Sequence, residues 1–149
     1  VFMNRALVTG SAGFIGGHLV DRLLDMGVSV VGIDNMRSGL QSTVDLHIKK
    51  GNFHPKYIDI RSDEVSSVFR EFEPDVVFHL AAIPGVAPSV IDPVISNSAN
   101  IGGTVSILNA CRESGVKRLV FSSSSSVYGG SDVLPTPEST ALNPKSPYA

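Results

Sequence analysis

The stretch Ala6-Leu7-Val8-Thr9-Gly10-Ser11-Ala12-Gly13-Phe14-Ile15-Gly16 decides how this chain is read. Ala6, Leu7 and Val8 form a short apolar run of the kind a buried strand needs. Gly10, Gly13 and Gly16 follow, and Phe14, Ile15, Leu19, Val20, Leu23 and Leu24 recur at helical spacing. Strand, glycine turn and helix in that order are the setting of a dinucleotide-binding fingerprint. In such a turn Gly10 makes the bend, Gly13 lets backbone approach a pyrophosphate, and Gly16 lets the helix pack on the strand. Free N–H groups and the positive end of the helix dipole hold the phosphates. The spacing is G-x-x-G-x-x-G rather than the commoner G-x-G-x-x-G, and a flexible turn is the plain alternative. Asp34 weighs against that alternative, because it closes the next apolar run at about the distance the fingerprint requires.

Composition narrows the field. The 149 residues suffice for one domain with a core, and 42% hydrophobic against 17% charged residues is a globular balance. A formal charge of -2 leaves no basic footprint for nucleic acid. No apolar run is long enough to span a membrane. The opening residues lack the charged and apolar regions of a secretory signal, so none is expected there, and Val1-Phe2, ahead of Met3, enter none of the expected elements. Cys111 has no second cysteine to pair with, which fits a reducing cytoplasm.

Further along, Met26-Gly27 stops the first helix and Val28 to Ile33 reads as a strand buried on both faces. A short helix is expected around Thr43 to Lys49, and a third strand over Tyr57-Ile58-Asp59-Ile60. Ser62 caps a helix whose apolar stripe is Val65, Val68, Phe69 and Phe72, and Pro74-Asp75 breaks it. Val76 to Ala82 is a fourth strand, and the prolines from Pro84 to Pro93 make the next stretch irregular. Asn97 to Ser114 reads as a long helix with Ile101, Val105, Leu108 and Cys111 on one face, and Gly115 ends it. Arg118 to Ser122 is a fifth strand, and no strand follows. Alternating strands and helices require parallel pairing with right-handed crossovers. The predicted fold is one α/β domain over residues 1–149, a doubly wound parallel sheet of the Rossmann kind with five strands in order 3-2-1-4-5. Ligands then lie beyond the carboxyl ends of the strands, at the switch point between the first and fourth.

Candidate residues cluster at those strand ends. Asp34 suits the two hydroxyls of an adenosine ribose and repels a 2′-phosphate, which favours NAD over NADP, although nearby Arg37 is of the type that accepts such a phosphate. Asp59 and Ile60 suit an adenine amine and ring; an ordinary strand terminus is the rival reading. Leu80, Ala81 and Ala82 are small or apolar enough for a cofactor to lie close, or for simple core packing. His79, within an apolar strand, reads as a hydrogen-bonded core residue, and His18, His47 and His54 have no metal-ligand spacing with it; no metal is expected. Cys111 packs rather than reacts. Asn100 pins backbone near the site or serves helix-end chemistry. Ser124, Ser125 and Ser126 stand just past the fifth strand, where a hydroxyl can hold a substrate oxygen. No histidine is near them, which disfavours a Ser-His-Asp hydrolase. Tyr128 and Tyr148 are candidate acids or bases, provided a cation brings the phenol down from its ordinary pKa near ~10.

Taken together, these residues resemble the extended short-chain dehydrogenase/reductases, specifically the NAD-dependent epimerase/dehydratase group that acts on nucleotide sugars. The resemblance rests on Thr9 to Gly16, Asp34-Asn35, Asp59-Ile60, His79-Leu80-Ala81-Ala82, Asn100 with Gly103-Thr104, Ser122 to Gly129, and Ser146-Pro147-Tyr148-Ala149. It covers essentially the whole chain. It implies NAD held by Gly10, Gly13, Phe14, Ile15, Gly16, Asp34, Asn35, Asp59, Ile60, Leu80, Ala81, Ala82, Asn100 and Ser122. It also implies Ser124 as the hydroxyl on the sugar, beside Ser125 and Ser126, and Tyr148 as the acid–base. The reaction the resemblance implies is transfer of hydride from the sugar C4 to NAD, with a keto intermediate, and in an epimerase its return to the other face. Dehydratases of the group usually carry an Asp-Glu pair where this chain has Ser125 and Ser126, so the resemblance favours an epimerase with UDP-sugars as substrates. Silent NAD-binding modules, and dehydratases or decarboxylases of the same group, are the alternatives. The family's lysine four residues after the tyrosine would fall beyond Ala149, as would its sugar-binding domain. The expectation is therefore the amino-terminal part of a longer enzyme, binding NAD weakly and inactive alone, with homodimerisation or altered self-association through an uncovered apolar face.

Overall fold

The computed structural model describes residues 3–149, and Val1 and Phe2 lie outside that range. Five parallel strands form one sheet: β1 (Arg5–Thr9), β2 (Ser29–Ile33), β3 (Phe53–Lys56), β4 (Val76–His79) and β5 (Leu119–Phe121). Their order is β3-β2-β1-β4-β5, as the strand–helix alternation predicts. Leu7 in the central strand is aligned with Val31 on one side and Val77 on the other.

Alternation along β1 divides the core into two layers. Ala6 and Val8 face α1 (Phe14–Asp25) and α2 (Gln41–Lys50), packing with Val20, Leu23 and Val44. Leu7 faces α3 (Glu64–Phe72) and α6 (Gly103–Glu113), packing with Val65, Phe69 and Ile107. Each such side chain, taken fully out of water, stabilises the fold by about 1.5–3 kcal/mol. Of the stripe expected on α3, Val65, Val68 and Phe69 are buried and Phe72 is half-buried; the cap position is Asp63 rather than Ser62, whose hydroxyl, one residue further out, accepts from the Glu64 amide at 3.2 Å. Asp92 caps the five-residue α5 (Pro93–Asn97) by accepting from the Ile95 amide at 3.0 Å.

Several boundaries differ from those the sequence predicts. The third strand is Phe53–Lys56, four residues before the expected Tyr57 to Ile60, which lie in the following loop. Pro55 hides this strand from a propensity reading. It is tolerated because β3 is an edge: the Asn52 carbonyl accepts from Val30 of β2 and the Lys56 carbonyl from Asp34 just past that strand, and the Pro55 nitrogen, between them in register, faces away from the ladder. The fourth strand ends at His79 rather than Ala82, because a side chain of β1 takes over the next two amides. The prolines after it do not prevent a short helix, α4 (Val86–Ile91), followed directly by α5. The predicted long helix begins earlier, at Pro93, and carries a π-helical turn over Ser98–Gly102 before α6. Its buried face is Gly103, Ile107, Ala110 and Cys111, whereas Ile101, Val105 and Leu108 are exposed. The helix has two apolar sides, and spacing alone does not say which one the sheet covers. β5 is Leu119–Phe121, shorter by a residue at each end than predicted.

Candidate functional site

The glycine turn is built as its sequence requires. Gly10 has φ +70, and a side chain there would meet the Ala81 amide nitrogen at 2.9 Å. A β-carbon on Gly16 would collide with the Gly10 carbonyl oxygen, so the helix can approach the strand only without one. Gly13 caps α1 with extended backbone and no side-chain hydrogen bond, and no acidic residue occupies the first turn. That helix end thus keeps its positive pole for an external anion. Phe14 and Ile15, its first residues, are exposed beside it.

Asp34 is bound into this turn. One carboxylate oxygen accepts from the Ala12 amide at 3.0 Å and the other from the Met36 amide at 2.8 Å. Each oxygen retains a lone pair for a further donor. The Leu40 amide donates to the Ala12 carbonyl at 3.1 Å, and Gly39 is packed so closely that a β-carbon would lie 3.0 Å from the Asp34 carboxylate. Neither contact is legible in the sequence, where Met36 to Gly51 is mixed and polar apart from the short helix expected around Thr43 to Lys49. Asn35 donates to Asp59 at 2.8 Å, and Arg61 chelates the same carboxylate through Nε at 2.7 Å and Nη2 at 2.8 Å. These Arg61 hydrogen bonds, above all, hold the Asp59 carboxyl well below the usual carboxylate range. Ile60 turns inward and joins the core.

A buried polar chain stands at the switch point. Thr9, fully buried, accepts through Oγ1 from the Leu80 and Ala81 amides, both at 3.1 Å, and lies 2.7 Å from His79 Nδ1. On the far side of the ring, Nε2 lies 2.9 Å from Thr104 Oγ1, which donates to the Asn100 carbonyl at 2.6 Å. The Asn100 side chain clasps Ile83 from both directions, accepting from its amide at 2.7 Å and donating to its carbonyl at 3.0 Å. His79 is thus a satisfied core histidine, and burial lowers its pKa to about 4. In the sequence Thr9 opens the glycine stretch but shows no site role of its own; a lone hydroxyl at the end of an apolar strand is the only signal it gives.

The serines and the carboxyl-terminal tyrosine lie on the other side of this loop. Ser122 leaves β5 with its amide on the His79 carbonyl at 3.2 Å. Ser124 Oγ accepts from the Ser126 amide at 3.2 Å and caps a 3-10 turn over Ser125–Tyr128, while Ser125 is exposed. The Tyr148 amide donates to Ser89 Oγ at 3.0 Å, and the Ser89 hydroxyl donates to the Val86 carbonyl at 2.7 Å. A cavity of about 250 Å³ opens between these segments, lined by Val86, Ser126, Gly129, Lys145, Ser146 and Ala149 among others. Nothing in the sequence marks Ser89, because the proline-rich residues around it read as irregular. Burial pushes the Cys111 thiol up to about 11, in keeping with a packing role.

A family model described as GDP-mannose 4,6 dehydratase matches residues 7–149. The chain belongs to the GDP-mannose 4,6 dehydratase family. It is 44% identical over 146 residues to the UDP-glucose 4-epimerase of Mycolicibacterium smegmatis, an alignment covering 97% of this chain and 47% of that protein. Among solved structures it superposes with TM-score 0.91 and 34% identity on a UDP-glucose 4-epimerase from Stenotrophomonas maltophila with bound NAD and formylated UDP-arabinopyranose, covering 99% of this chain and 44% of that one. A Thermotoga maritima UDP-glucose 4-epimerase with UDP-glucose gives TM-score 0.89 and 38% identity, with 97% and 46% covered. The chain spans about half the length of the curated relatives it first matches. Among the described residues no helix is long and apolar enough to cross a membrane.

Proposed function

We propose that this chain is the NAD-binding part of a nucleotide-sugar 4-epimerase that acts on UDP-sugars in the cytoplasm, with residues 1–149 forming the NAD-binding domain. One observation carries the reading: a first turn of α1 with no side-chain cap and no acidic residue is held beside the Asp34 carboxylate by the Ala12 amide. That pairing offers N–H donors to a pyrophosphate and, one strand away, acceptor oxygens to a ribose. The fit extends to Gly10 and Gly16, whose missing side chains leave backbone as the wall of the turn. NAD, when bound, supplies the hydride acceptor for the sugar C4. The protein's own residues bind, orient and move the proton. Asn35 and Asp59 border the adenine end, and Asn100 fixes the loop of residues 80–83 on the nicotinamide side. Ser124 hydrogen-bonds the sugar hydroxyl, with Ser125 and Ser126 beside it, and the Tyr148 phenol exchanges the proton of that hydroxyl. Similar structures that hold formylated UDP-arabinopyranose and UDP-glucose support the substrate class. The exposed stripe Ile101, Val105 and Leu108 supports association of two copies.

Calorimetric titration with NAD and NADP tests the cofactor. Saturable NAD binding is expected, with NADP at least about tenfold weaker. Absence of NAD saturation, or tighter NADP, would overturn the assignment. For the reaction, the polypeptide extended to the length of its relatives should interconvert UDP-glucose and UDP-galactose. A dehydrated product would instead refute 4-epimerisation.

A further inference from the structure

The hydrogen-bond chain through His79 has only one consistent arrangement of protons. Thr9 Oγ1 accepts two backbone N–H groups, so its own hydrogen is the one that joins it to His79 Nδ1. Nδ1 must therefore be bare. Thr104 Oγ1 spends its hydrogen on the Asn100 carbonyl, so it can only accept from His79 Nε2. The ring is the neutral Nε2–H form, set by its two neighbours. Two short hydroxyl bridges thereby tie the π-helical turn that carries Asn100 to the backbone of residues 80 and 81. That backbone is the surface against which Gly10 bends, since a β-carbon on Gly10 would sit 2.9 Å from the Ala81 nitrogen. The arrangement spans β1, β4 and the start of α6.

We propose that His79 is a positioning residue for the dinucleotide site: as the Nε2–H tautomer it holds Thr9 as acceptor of the Leu80 and Ala81 amides, and so sets the wall behind the glycine turn. This rests on the NAD reading above, but its two halves are tested apart. The arms of the ring are separable by substitution. In His79→Asn the side-chain oxygen takes the place of Nδ1 and still accepts from Thr9, while the Thr104 arm is lost. In His79→Gln the amide nitrogen takes the place of Nε2 and still donates to Thr104, while the Thr9 arm is lost. A merely structural histidine would leave NAD affinity alike in the two variants, because each loses one buried hydrogen bond.

The first measurement is the nitrogen-15 shifts of the His79 ring in the NAD-free protein at neutral pH. A protonated Nε2 with a bare Nδ1 is expected, and the opposite tautomer overturns the proposal whether or not the protein binds NAD. The second is the NAD dissociation constant. His79→Gln should weaken NAD by about tenfold, the size of one lost buried hydrogen bond, while His79→Asn stays near wild type. Equal affinities in the two variants overturn the proposal. Should either fail to fold, Thr9→Val and Thr9→Ser make the same comparison: valine is to weaken NAD and serine to restore it, and no difference between them refutes the role. Wild-type protein that does not bind NAD defeats the cofactor reading instead, and the tautomer result still judges the chain of hydrogen bonds.

Discussion

Gly16 sits against the carbonyl oxygen of Gly10, closer than any β-carbon could come. The contact is backbone on backbone, so no side chain can move aside. Gly16→Ala should therefore cost about 1–3 kcal/mol, as overpacking in a rigid site does. A denaturant midpoint lowered at unchanged slope, with NAD binding weakened further, is the expected result. An unchanged midpoint would show that α1 can retreat from β1.

Asp34 joins two roles, clasping the turn and facing outward. Asp34→Ala frees the Ala12 and Met36 amides and should lower stability by about 1–3 kcal/mol. Asp34→Asn keeps the shape, but its NH2 must face one of those amides. NAD affinity should fall about tenfold or more in both, read by calorimetry. Retained affinity in Asp34→Asn would reduce the carboxylate to a loop clasp.

Acid should act on this protein in two stages. Burial holds the folded His79 at about 4, against ~6.5 in an unfolded chain. Between those values the unfolded chain binds the extra proton, so stability rises with pH across the window. The contribution is complete above about pH 6.5, is lost as the pH falls toward 4, and is on the order of 3 kcal/mol. Asp59 is depressed, so its contribution persists through that window and fades only below the ordinary carboxylate range. Chemical denaturation at stepped pH should give a flatter slope for His79→Asn between pH 6.5 and 4 than for the wild type. Parallel slopes would remove His79 as the source.

The exposed stripe on the long helix bears on association. Val105→Glu with Leu108→Glu should abolish self-association in sedimentation while leaving thermal stability nearly unchanged, since both side chains are exposed. A wild-type monomer at high concentration would refute the proposed pairing.

What the sequence reveals follows from where the physics is local. Glycine spacing, apolar runs and the break at Pro74-Asp75 place β1, α1, β2 and α3 and the strand order, because each depends on neighbours in sequence. The third strand escapes detection because Pro55 is permitted only by its place at a sheet edge, which is a tertiary fact. The covered side of α6 escapes for a like reason: Gly103 admits Ile60 from a distant loop, and nothing near it in sequence announces that. Asp34 and Asn100 are legible as site residues, but Thr9, Gly39 and Ser89 become so only once their partners are in place.

The proline in β3 also makes the two rims of the sheet unequal. At that rim one outward position has no hydrogen to offer, so an incoming strand cannot complete its ladder there. At the opposite rim β5 has no proline, and Val120 and Phe121 lie open to solvent. Growth of this sheet is thus one-directional. Of the two rims, the one along Leu119–Phe121 is therefore the edge whose backbone can complete a ladder with an incoming strand.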